Sequence, residues 1–216
     1  MAGSGGGGGA PGPYGTRRDG PGGPVRRVGA MSVGSGLVTP PIATEPPPGT
    51  ELPLPHADAP AQGTVLPPHY RDCFGCGDRH PTGLHLTVTV GDGVTVDAEF
   101  TVTKDHQGAP GLAHGGVIAT AFDEALGYLL GVLRQPAVTG RLEVDYRRPV
   151  PVGSTLRIHA ECVGVVGRKI YTKATGEIDG REAVRAQGLF VAVPMRHFTE
   201  HGWADAETVD GDRYNP

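Results

Sequence analysis

The stretch LAHGGVIATAFDEALGYLLGVL, residues 112–133, decides how the rest of the chain is organised. From residue 117 onward its apolar side chains recur at helical spacing and lie on nearly every side of the predicted helix. A helix that is apolar all round is either buried inside its domain or spans a membrane. The acids Asp123 and Glu124 in the middle of the run argue against a membrane span. We therefore predict a central helix that other elements surround, carrying a carboxylate pair that a purely structural core would not tolerate.

The segment His114-Gly115-Gly116 lies where this helix begins. The first backbone N–H groups of a helix lack partners within it and point outward at the positive end of the helix dipole. They form a ready site for an anion, or for an oxyanion that develops during a reaction. Because glycine has no side chain, Gly115 and Gly116 also let a ligand approach the backbone closely. The alternative is structural: the glycines form a loop and His114 caps the helix.

Residues 1–63 have the composition of a disordered tail. They contain 16 of the 36 glycines and 12 of the 21 prolines, and Tyr14 is their one aromatic residue. Such a segment cannot bury enough apolar surface to offset the conformational entropy that it would lose on folding. The last residues, 199–216, are polar and are predicted to fray. The globular domain is therefore expected to span residues 64–198.

The overall charge and the cysteine content narrow the function classes. A formal net charge of −4 argues against a nucleic-acid-binding protein. No compact apolar stretch follows the basic residues near the N-terminus, so a secretory signal peptide is not expected. Three cysteines, an odd number in a chain without a disulfide framework, fit the reducing cytosol. We therefore expect a cytoplasmic protein.

Six stretches in which apolar residues alternate with period 2 predict β-strands around the helix. Two precede the helix and four follow it, so the predicted order is β-β-α-β-β-β-β. This is an α+β architecture in which one antiparallel sheet curls around one central helix and buries it. The open edges of such a sheet favour a partner chain. The predicted strands are residues 84–90, 94–102, 138–149, 155–166, 169–178 and 182–193.

The strand that follows the helix alternates strictly along its length. Strict alternation places Val138 and Gly140 on the core-facing side and Thr139 on the opposite side. Thr139 is then expected to face a partner subunit or the edge of a site.

Cys73 and Cys76 have the C-x-x-C spacing of a zinc knuckle. No second cysteine pair follows, so four ligands would require nearby histidines (His69, His80 or His85) or a second chain. We interpret the two cysteines as packed thiols in a tight turn and assign no metal site, with metal binding as the alternative.

Three groups of residues resemble those of the hotdog-fold acyl-CoA thioesterases, in particular the PaaI-like branch. The resemblance runs from about residue 70 to residue 198 and implies the hotdog fold, thioester hydrolysis and no cofactor. The first group is Ala113-His114-Gly115-Gly116 followed by Asp123; the second is LEVDYRRPVPVG at 142–153; the third is CFGCG at 73–77 with GLHL at 83–86.

The resemblance also implies roles for individual residues. Asp123 is the nucleophile or general base, and the backbone N–H of Gly115, next to His114, polarises the thioester carbonyl. A Thr or Ser on the next strand positions the attacking water, and by spacing this residue is Thr139. Gly116 lies on the same helix face as Asp123 and leaves room for substrate.

Spacing along the helix predicts that two chains build one site. Gly115 and Asp123 are eight residues apart, which is about 12 Å along a helix, whereas reacting groups must lie within about 3–3.5 Å of one another. We therefore expect a homodimer, or a dimer of dimers, in which Gly115 of one chain faces Asp123 of the other. Burial beside Phe122 and Leu126 is expected to raise the pKa of Asp123. Glu124, the rival acid, points about 100° away around the helix.

The phosphates of coenzyme A require cations. Arg147 and Arg148 after one strand, and Arg168 and Lys169 at the following hairpin, are the candidates. The alternative is that all four are solvated surface charges.

Two other functions remain open at this point. One is an enoyl-CoA hydratase or dehydratase of the same fold, which would need a paired Asp and His such as Asp105 and His106. The other is a non-catalytic acyl-CoA-binding or assembly module joined through the Cys73–Cys76 segment.

Overall fold

The structure, a computed structural model, describes residues 43–200, except for the side chain of Thr199. Two of the predicted segments are only partly covered. Residues 1–42 of the N-terminal tail and residues 201–216 of the C-terminal tail lie outside the described part.

Nine strands, two α-helices and one short 3-10 helix (Lys104–His106) are present in the described part. In chain order they are β1 (Val65–Leu66), β2 (Thr87–Val90), β3 (Thr95–Thr101), β4 (Gln107–Ala109), β5 (Leu112–Ala113), α1 (Gly115–Leu133), β6 (Ala137–Tyr146), β7 (Thr155–Val166), β8 (Lys169–Ile178), β9 (Arg181–Ala192) and α2 (Arg196–Glu200).

Seven of the strands form one antiparallel sheet in the order β1-β2-β3-β7-β8-β9-β6. The six predicted strands are all in this sheet, and the ranges predicted for β7 and β8 are those observed. β2 begins at Thr87 rather than 84, because Leu84 and Leu86 donate backbone hydrogen bonds to the loop carbonyls of Phe74 and Gly75 (2.8 and 3.0 Å). The long strand β6 lies at one edge of the sheet.

The helix α1 is the core of the domain. Its side chains Phe122, Leu126 and Leu129 are fully buried. They pack in one hydrophobic cluster with residues from β2, β3, β7, β8 and β9. By length and composition α1 would also fit a membrane span, but its apolar surface is used for packing against the sheet. The prediction of an antiparallel sheet wrapped around one central helix is confirmed.

Two glycines of the sheet let α1 approach closely. A Cβ atom on Gly176 of β8 would lie 2.7 Å from Cζ of Phe122. One on Gly188 of β9 would lie 3.0 Å from Cδ1 of Leu126. Real side chains avoid such distances, so these positions set how near the helix lies to the sheet.

A β-bulge in β6 corrects the predicted alternation. The pairing with β9 shifts by one residue between Thr139 and Arg141, so that Gly140 is the extra residue. Beyond the bulge, Leu142 and Val144 pack on the core side. Because one extra residue reverses the alternation, Thr139 shares the face of Leu142 and Val144 and points toward α1. Val138 and Gly140 are therefore not on that face, contrary to the prediction from strict alternation.

Residues 43–63 lie against the domain. Thr44 is buried and donates a hydrogen bond to Glu143 Oε2 (3.0 Å). The N–H of His56 donates to the carbonyl of Val132 at the end of α1 (3.1 Å), and that of Gly63 donates to Val90 (2.9 Å). These contacts begin before residue 64, the position at which composition predicts the start of the domain.

Candidate active site

Asp123 and Thr139 meet between α1 and the edge strand β6. The hydroxyl of Thr139 donates a hydrogen bond of 2.9 Å to Oδ1 of Asp123. Burial raises the pKa of Asp123 above its usual value, the bond from Thr139 lowers it, and the nearby charge of Glu124 raises it further. The net direction is upward, which confirms the predicted direction. A carboxylate that gains a proton more readily is suited to act as a general base.

The N-terminal end of α1 is organised by His114 and Tyr146. His114 is the N-cap, and its Nδ1 accepts a hydrogen bond from the N–H of Gly116 (2.9 Å). Its own N–H donates to the carbonyl of His106 (2.8 Å). The phenol of Tyr146, on β6, donates to the carbonyl of Gly115 (2.8 Å). From the sequence, Tyr146 was assigned no role in the site; its place beside the helix follows from the alternation that puts it on the face of Leu142 and Val144.

The N–H groups of the two glycines differ in availability. That of Gly116 is taken by the His114 side chain. Within residues 43–200, the N–H of Gly115 has no hydrogen-bond acceptor. His114 therefore acts as a cap and leaves the N–H of Gly115 free to donate to a ligand.

His106 is held by the backbone on both sides of its ring. It is buried, its Nδ1 accepts from the N–H of Thr103 (3.0 Å), and its Nε2 lies 3.3 Å from the carbonyl of Gly83. With both nitrogens engaged, the ring is not free to exchange protons with a substrate. The structure thus gives no support to an Asp105–His106 acid–base pair.

Within one chain the two halves of the candidate site stay apart. Gly115 and Asp123 lie eight residues apart on one uninterrupted helix, about 12 Å along its axis. On β6, Tyr146 lies beside Gly115 and Thr139 lies beside Asp123. A single chain therefore presents an acid at one end of β6 and an N–H donor at the other.

The four candidate phosphate ligands also divide between these ends. Arg147 and Arg148 donate their backbone N–H groups to Ala183, near the start of β9, whereas Lys169 pairs with Val191 near its end. The two positions on β9 are eight residues, or about 27 Å, apart at about 3.4 Å per residue. One chain does not bring the two pairs together.

Three of these cations are already engaged. Arg147 Nε lies 3.1 Å from Glu182 Oε1, Arg148 donates to the carbonyl of Glu182, and Arg168 Nε donates to the carbonyl of Ala192 (2.8 Å). Since all three contacts are exposed, the side chains can still exchange them for a phosphate.

A second group of reactive side chains forms around Glu124, separate from the Asp123–Thr139 pair. The cluster consists of His69, Cys73, Cys76 and Glu124, and one ligand atom from each lies within 4.8 Å of the others. Cys76 Sγ is 3.1 Å from His69 Nδ1, Cys73 Sγ is 3.6 Å from Glu124 Oε2, and His69 Nδ1 is 3.1 Å from Glu124 Oε1. The C-x-x-C spacing of the two cysteines was visible in the sequence, but it did not indicate that Glu124 is the fourth member of the group.

The members of this cluster change one another's pKa. A hydrogen bond from Cys76 and contact with His69 outweigh burial and lower the pKa of Cys73 to about 3. The hydrogen bond to Cys73, together with burial, raises the pKa of Cys76. Burial lowers the pKa of His69, but hydrogen bonds to Cys73 and Glu124 outweigh it and raise the value to about 10.

A depression on the outer face of the sheet lies away from Asp123. Its lining includes Asp97 and Glu99, which are paired with His159 (2.8 Å) and Arg157 (3.3 Å). Because these side chains already pair with one another, we do not assign the depression to substrate.

Comparison with known proteins places the chain among thioesterases. The family described as Thioesterase superfamily matches residues 110–184. PA0474 of Pseudomonas aeruginosa, which is named as an esterase, is 30% identical to this chain over 92 residues; these are 41% of this chain and 69% of that protein. The crystal structure of protein RHA08564, a thioesterase superfamily protein, has a TM-score of 0.53 and 29% identity, and the match covers 62% of this chain and 69% of that one.

A further relative is the acyl-coenzyme A thioesterase THEM4 of Xenopus laevis. It is 38% identical over 66 residues, which are 31% of this chain and 30% of that protein. The chain thus spans less than a third of the length of this relative.

Proposed function

Because the chain belongs to the thioesterase superfamily, we propose that it is an acyl-CoA thioesterase, which hydrolyses an acyl-CoA thioester to the free acid and coenzyme A. The observation that carries the proposal is the half-buried Asp123, which Thr139 holds at 2.9 Å. The name of the relative THEM4 supports acyl-CoA as the substrate class.

Asp123 supplies the base or the nucleophile. The bond from Thr139 occupies Oδ1 and orients the carboxylate, which leaves Oδ2 to act. As a base, Oδ2 takes a proton from water while the water oxygen bonds to the carbonyl carbon. The carbon–sulfur bond then breaks, and the departing thiolate takes up a proton. As a nucleophile, Oδ2 would itself bond to the carbonyl carbon and displace the coenzyme A thiolate, which takes up a proton. Water would then hydrolyse the mixed anhydride to the free acid and regenerate Asp123.

Gly115 stabilises the oxyanion in this scheme. Its N–H has no acceptor among the described residues and lies at the positive end of α1. A donor that is already in place costs no reorganisation when negative charge develops on the carbonyl oxygen. His114 and Tyr146 fix this end of the helix, at the N–H of Gly116 and at the carbonyl of Gly115 respectively.

The site is completed by a second copy of the chain. β6 is a ten-residue edge strand, and antiparallel pairing with the β6 of a partner about a two-fold axis is an isologous contact. With the axis near residues 142 and 143, Thr139 of one chain lies opposite the partner's Tyr146. Asp123 of one chain then lies near the partner's Gly115, and two equivalent sites result. A tetramer formed from two such dimers would keep both sites of each dimer.

The same pairing gathers the basic residues around each site. Arg168 and Lys169 lie at the Thr139 end of the sheet, and Arg147 and Arg148 lie at the Tyr146 end. Antiparallel pairing of two chains brings one pair from each chain to the same end, where they would bind the phosphates of coenzyme A. We place this reaction in the cytosol, as the free cysteines suggest.

Release of free thiol from a panel of acyl-CoAs tests the proposal. We expect release by the wild type and a loss of about 10²-fold or more in kcat for Asp123→Asn. The matched control is Asp105→Asn, the same change at an exposed position, which should leave kcat unchanged. No release from any acyl-CoA, with binding intact, would instead indicate a non-catalytic acyl-CoA-binding module.

A further inference from the structure

The His69–Cys73–Cys76–Glu124 cluster has no part in the proposed hydrolysis, yet four different metal-ligating groups converge there. We propose that these four side chains bind one zinc ion, which ties the segment before β2 to the central helix α1. The inference does not depend on the activity of the chain.

The spacing of the four ligand atoms fits a tetrahedral site. Zinc bonds of about 2.3 Å to sulfur and about 2.0–2.2 Å to nitrogen or oxygen give ligand–ligand edges of roughly 3.3–3.8 Å. Three contacts are 3.1 Å (Cys76 Sγ to His69 Nδ1), 3.6 Å (Cys73 Sγ to Glu124 Oε2) and 3.1 Å (His69 Nδ1 to Glu124 Oε1), and one ligand atom from each residue lies within 4.8 Å of the others. Small movements of the side chains would therefore bring four ligand atoms to these edges around one ion.

The loop that carries the cysteines is already shaped to present them. The N–H of Gly75 donates to Cys73 Sγ (3.3 Å), and the N–H of Gly77 donates to the carbonyl of Cys73 (2.9 Å). Backbone donors to sulfur favour the thiolate, which is the form that ligates metal. A Cβ atom on Gly75 would overlap the carboxylate of Glu124, and one on Gly77 would overlap the backbone of Arg71 and Cys73. Gly75 thus permits the close approach of the loop to α1, and Gly77 permits the tight turn of the loop itself.

Glu124 supplies the independent indication of a missing cation. Its side chain is only 12% exposed. Oε1 is fully shielded from solvent, and its polar neighbour is His69 Nδ1 at 3.1 Å. A protonated His69 would compensate the charge of this oxygen, but a neutral His69, the form that ligates metal, would not, and a shielded carboxylate without a compensating positive charge is costly. A divalent cation at the centre of the cluster would satisfy this oxygen and both sulfurs together.

The ligand set identifies the metal. Two thiolates and an imidazole favour zinc over magnesium or calcium, which prefer oxygen ligands. Four protein ligands leave no open position for water, as in structural rather than catalytic zinc sites. The ion would hold Glu124, which points about 100° around α1 from Asp123, and so would fix the turn of helix that carries Asp123.

Zinc content of the full, untagged chain is the first test. We expect about one zinc per chain after purification without chelator. Cys73→Ser and Cys76→Ser should abolish this content. Cys162→Ser, which changes the third free cysteine in β7, should retain it.

Cobalt substitution keeps the test independent of whether the cysteine variants fold. Wild-type protein that has been stripped of metal should bind one Co²⁺ and develop the thiolate-to-cobalt absorption of a tetrahedral site. Glu124→Gln, which keeps the shape of the side chain, should bind Co²⁺ more weakly by about 10-fold or more.

Thiol reactivity distinguishes the site from its metal-free rival, a Cys73 thiolate paired with a protonated His69. In the zinc-bound form Cys73 should resist alkylation until a chelator is added, whereas the ion pair would be alkylated at once. Absence of zinc in the purified chain, together with no Co²⁺ binding and immediate alkylation of Cys73, would overturn the proposal.

Discussion

Asp123 and Glu124 are neighbours in sequence with different surroundings. Asp123 faces Thr139 on β6, whereas Glu124 faces His69 and Cys73 on a different side of α1. The separation follows from the rotation of about 100° per residue in an α-helix. The carboxylate pair that marked this helix in the sequence therefore serves two separate sites.

Thr139→Ala should shift the pH dependence of hydrolysis. The hydrogen bond from Thr139 lowers the pKa of Asp123, so its removal raises that pKa further. Because the base acts in its ionised form, activity is lost as the pH falls through this pKa, and the acidic limb should move to higher pH by up to about one unit. The measurement is kcat/KM against pH, with Thr139→Ser as the control that keeps the hydroxyl. If the acidic limb of the pH profile of Thr139→Ala coincides with that of the wild type, Thr139 does not lower the pKa of the catalytic Asp123.

Asp123→Asn should stabilise the fold while it removes activity. The pKa of Asp123 is raised in the folded chain, so ionisation opposes folding at pH values above the unfolded pKa, and the penalty disappears as the pH falls below it. A neutral amide avoids that penalty and can still accept from Thr139. We expect the Tm at neutral pH to rise by a few degrees, with a smaller difference in acid. An equal or lower Tm at neutral pH would show that Asp123 is not strained by burial.

At the level of elements, the packing of α1 on the sheet depends on glycine. Gly176→Val should destabilise the domain by about 1–3 kcal/mol, because the added methyl groups would displace the buried Phe122 and Leu156. Chemical denaturation measures the change. Gly127→Ala is the contrasting control, since a Cβ there meets nothing within 4 Å, and it should be neutral or stabilising by up to about 1 kcal/mol. A Gly176→Val variant as stable as the wild type would mean that the helix lies farther from the sheet.

Periodicity in the sequence was sufficient for the main elements. The apolar run over residues 117–133 and the alternation in six strands predicted the helix, the order of strands and the wrapped sheet. The bulge at Gly140 was not predictable, because a single glycine in an alternating run does not reveal which residue remains unpaired. That one residue decides whether Thr139 faces Asp123 or the solvent.

The metal-ligating cluster shows a second limit of sequence reasoning. Cys73 and Cys76 are close in sequence, but Glu124 lies 51 residues after Cys73 and meets it only through the packing of the loop on α1. The partners of Glu124 depend on how the segment before β2 folds back onto α1. Leu84 and Leu86 fix this fold by donating backbone hydrogen bonds to the loop that carries the two cysteines. The spacing of residues over a few positions in the sequence does not predict contacts between residues that are far apart in the chain.

For the whole molecule, the account requires two chains. One chain separates the acid from the oxyanion donor by about 12 Å of helix, and it carries its two basic pairs at opposite ends of β9. Sedimentation of the purified chain should therefore show a dimer or a tetramer, with little monomer. A monomer with full activity would contradict the shared site.

Complementation between two inactive variants tests the shared site most directly. Asp123→Asn removes the acid, and Gly115→Pro removes the free N–H. Proline is tolerated at Gly115 because it is the first residue of α1 and its N–H has no partner in the helix. Gly115→Ala, which keeps the N–H, is the control and should remain active.

The measurement is thiol release by a heterodimer of these two variants, purified through a different tag on each chain. If the site is shared, one of its two sites combines an intact Gly115 with the partner's intact Asp123, and the heterodimer should show about half of the wild-type activity. If each chain builds its own site, both sites carry a defect. A purified heterodimer as inactive as its parents would contradict the central claim.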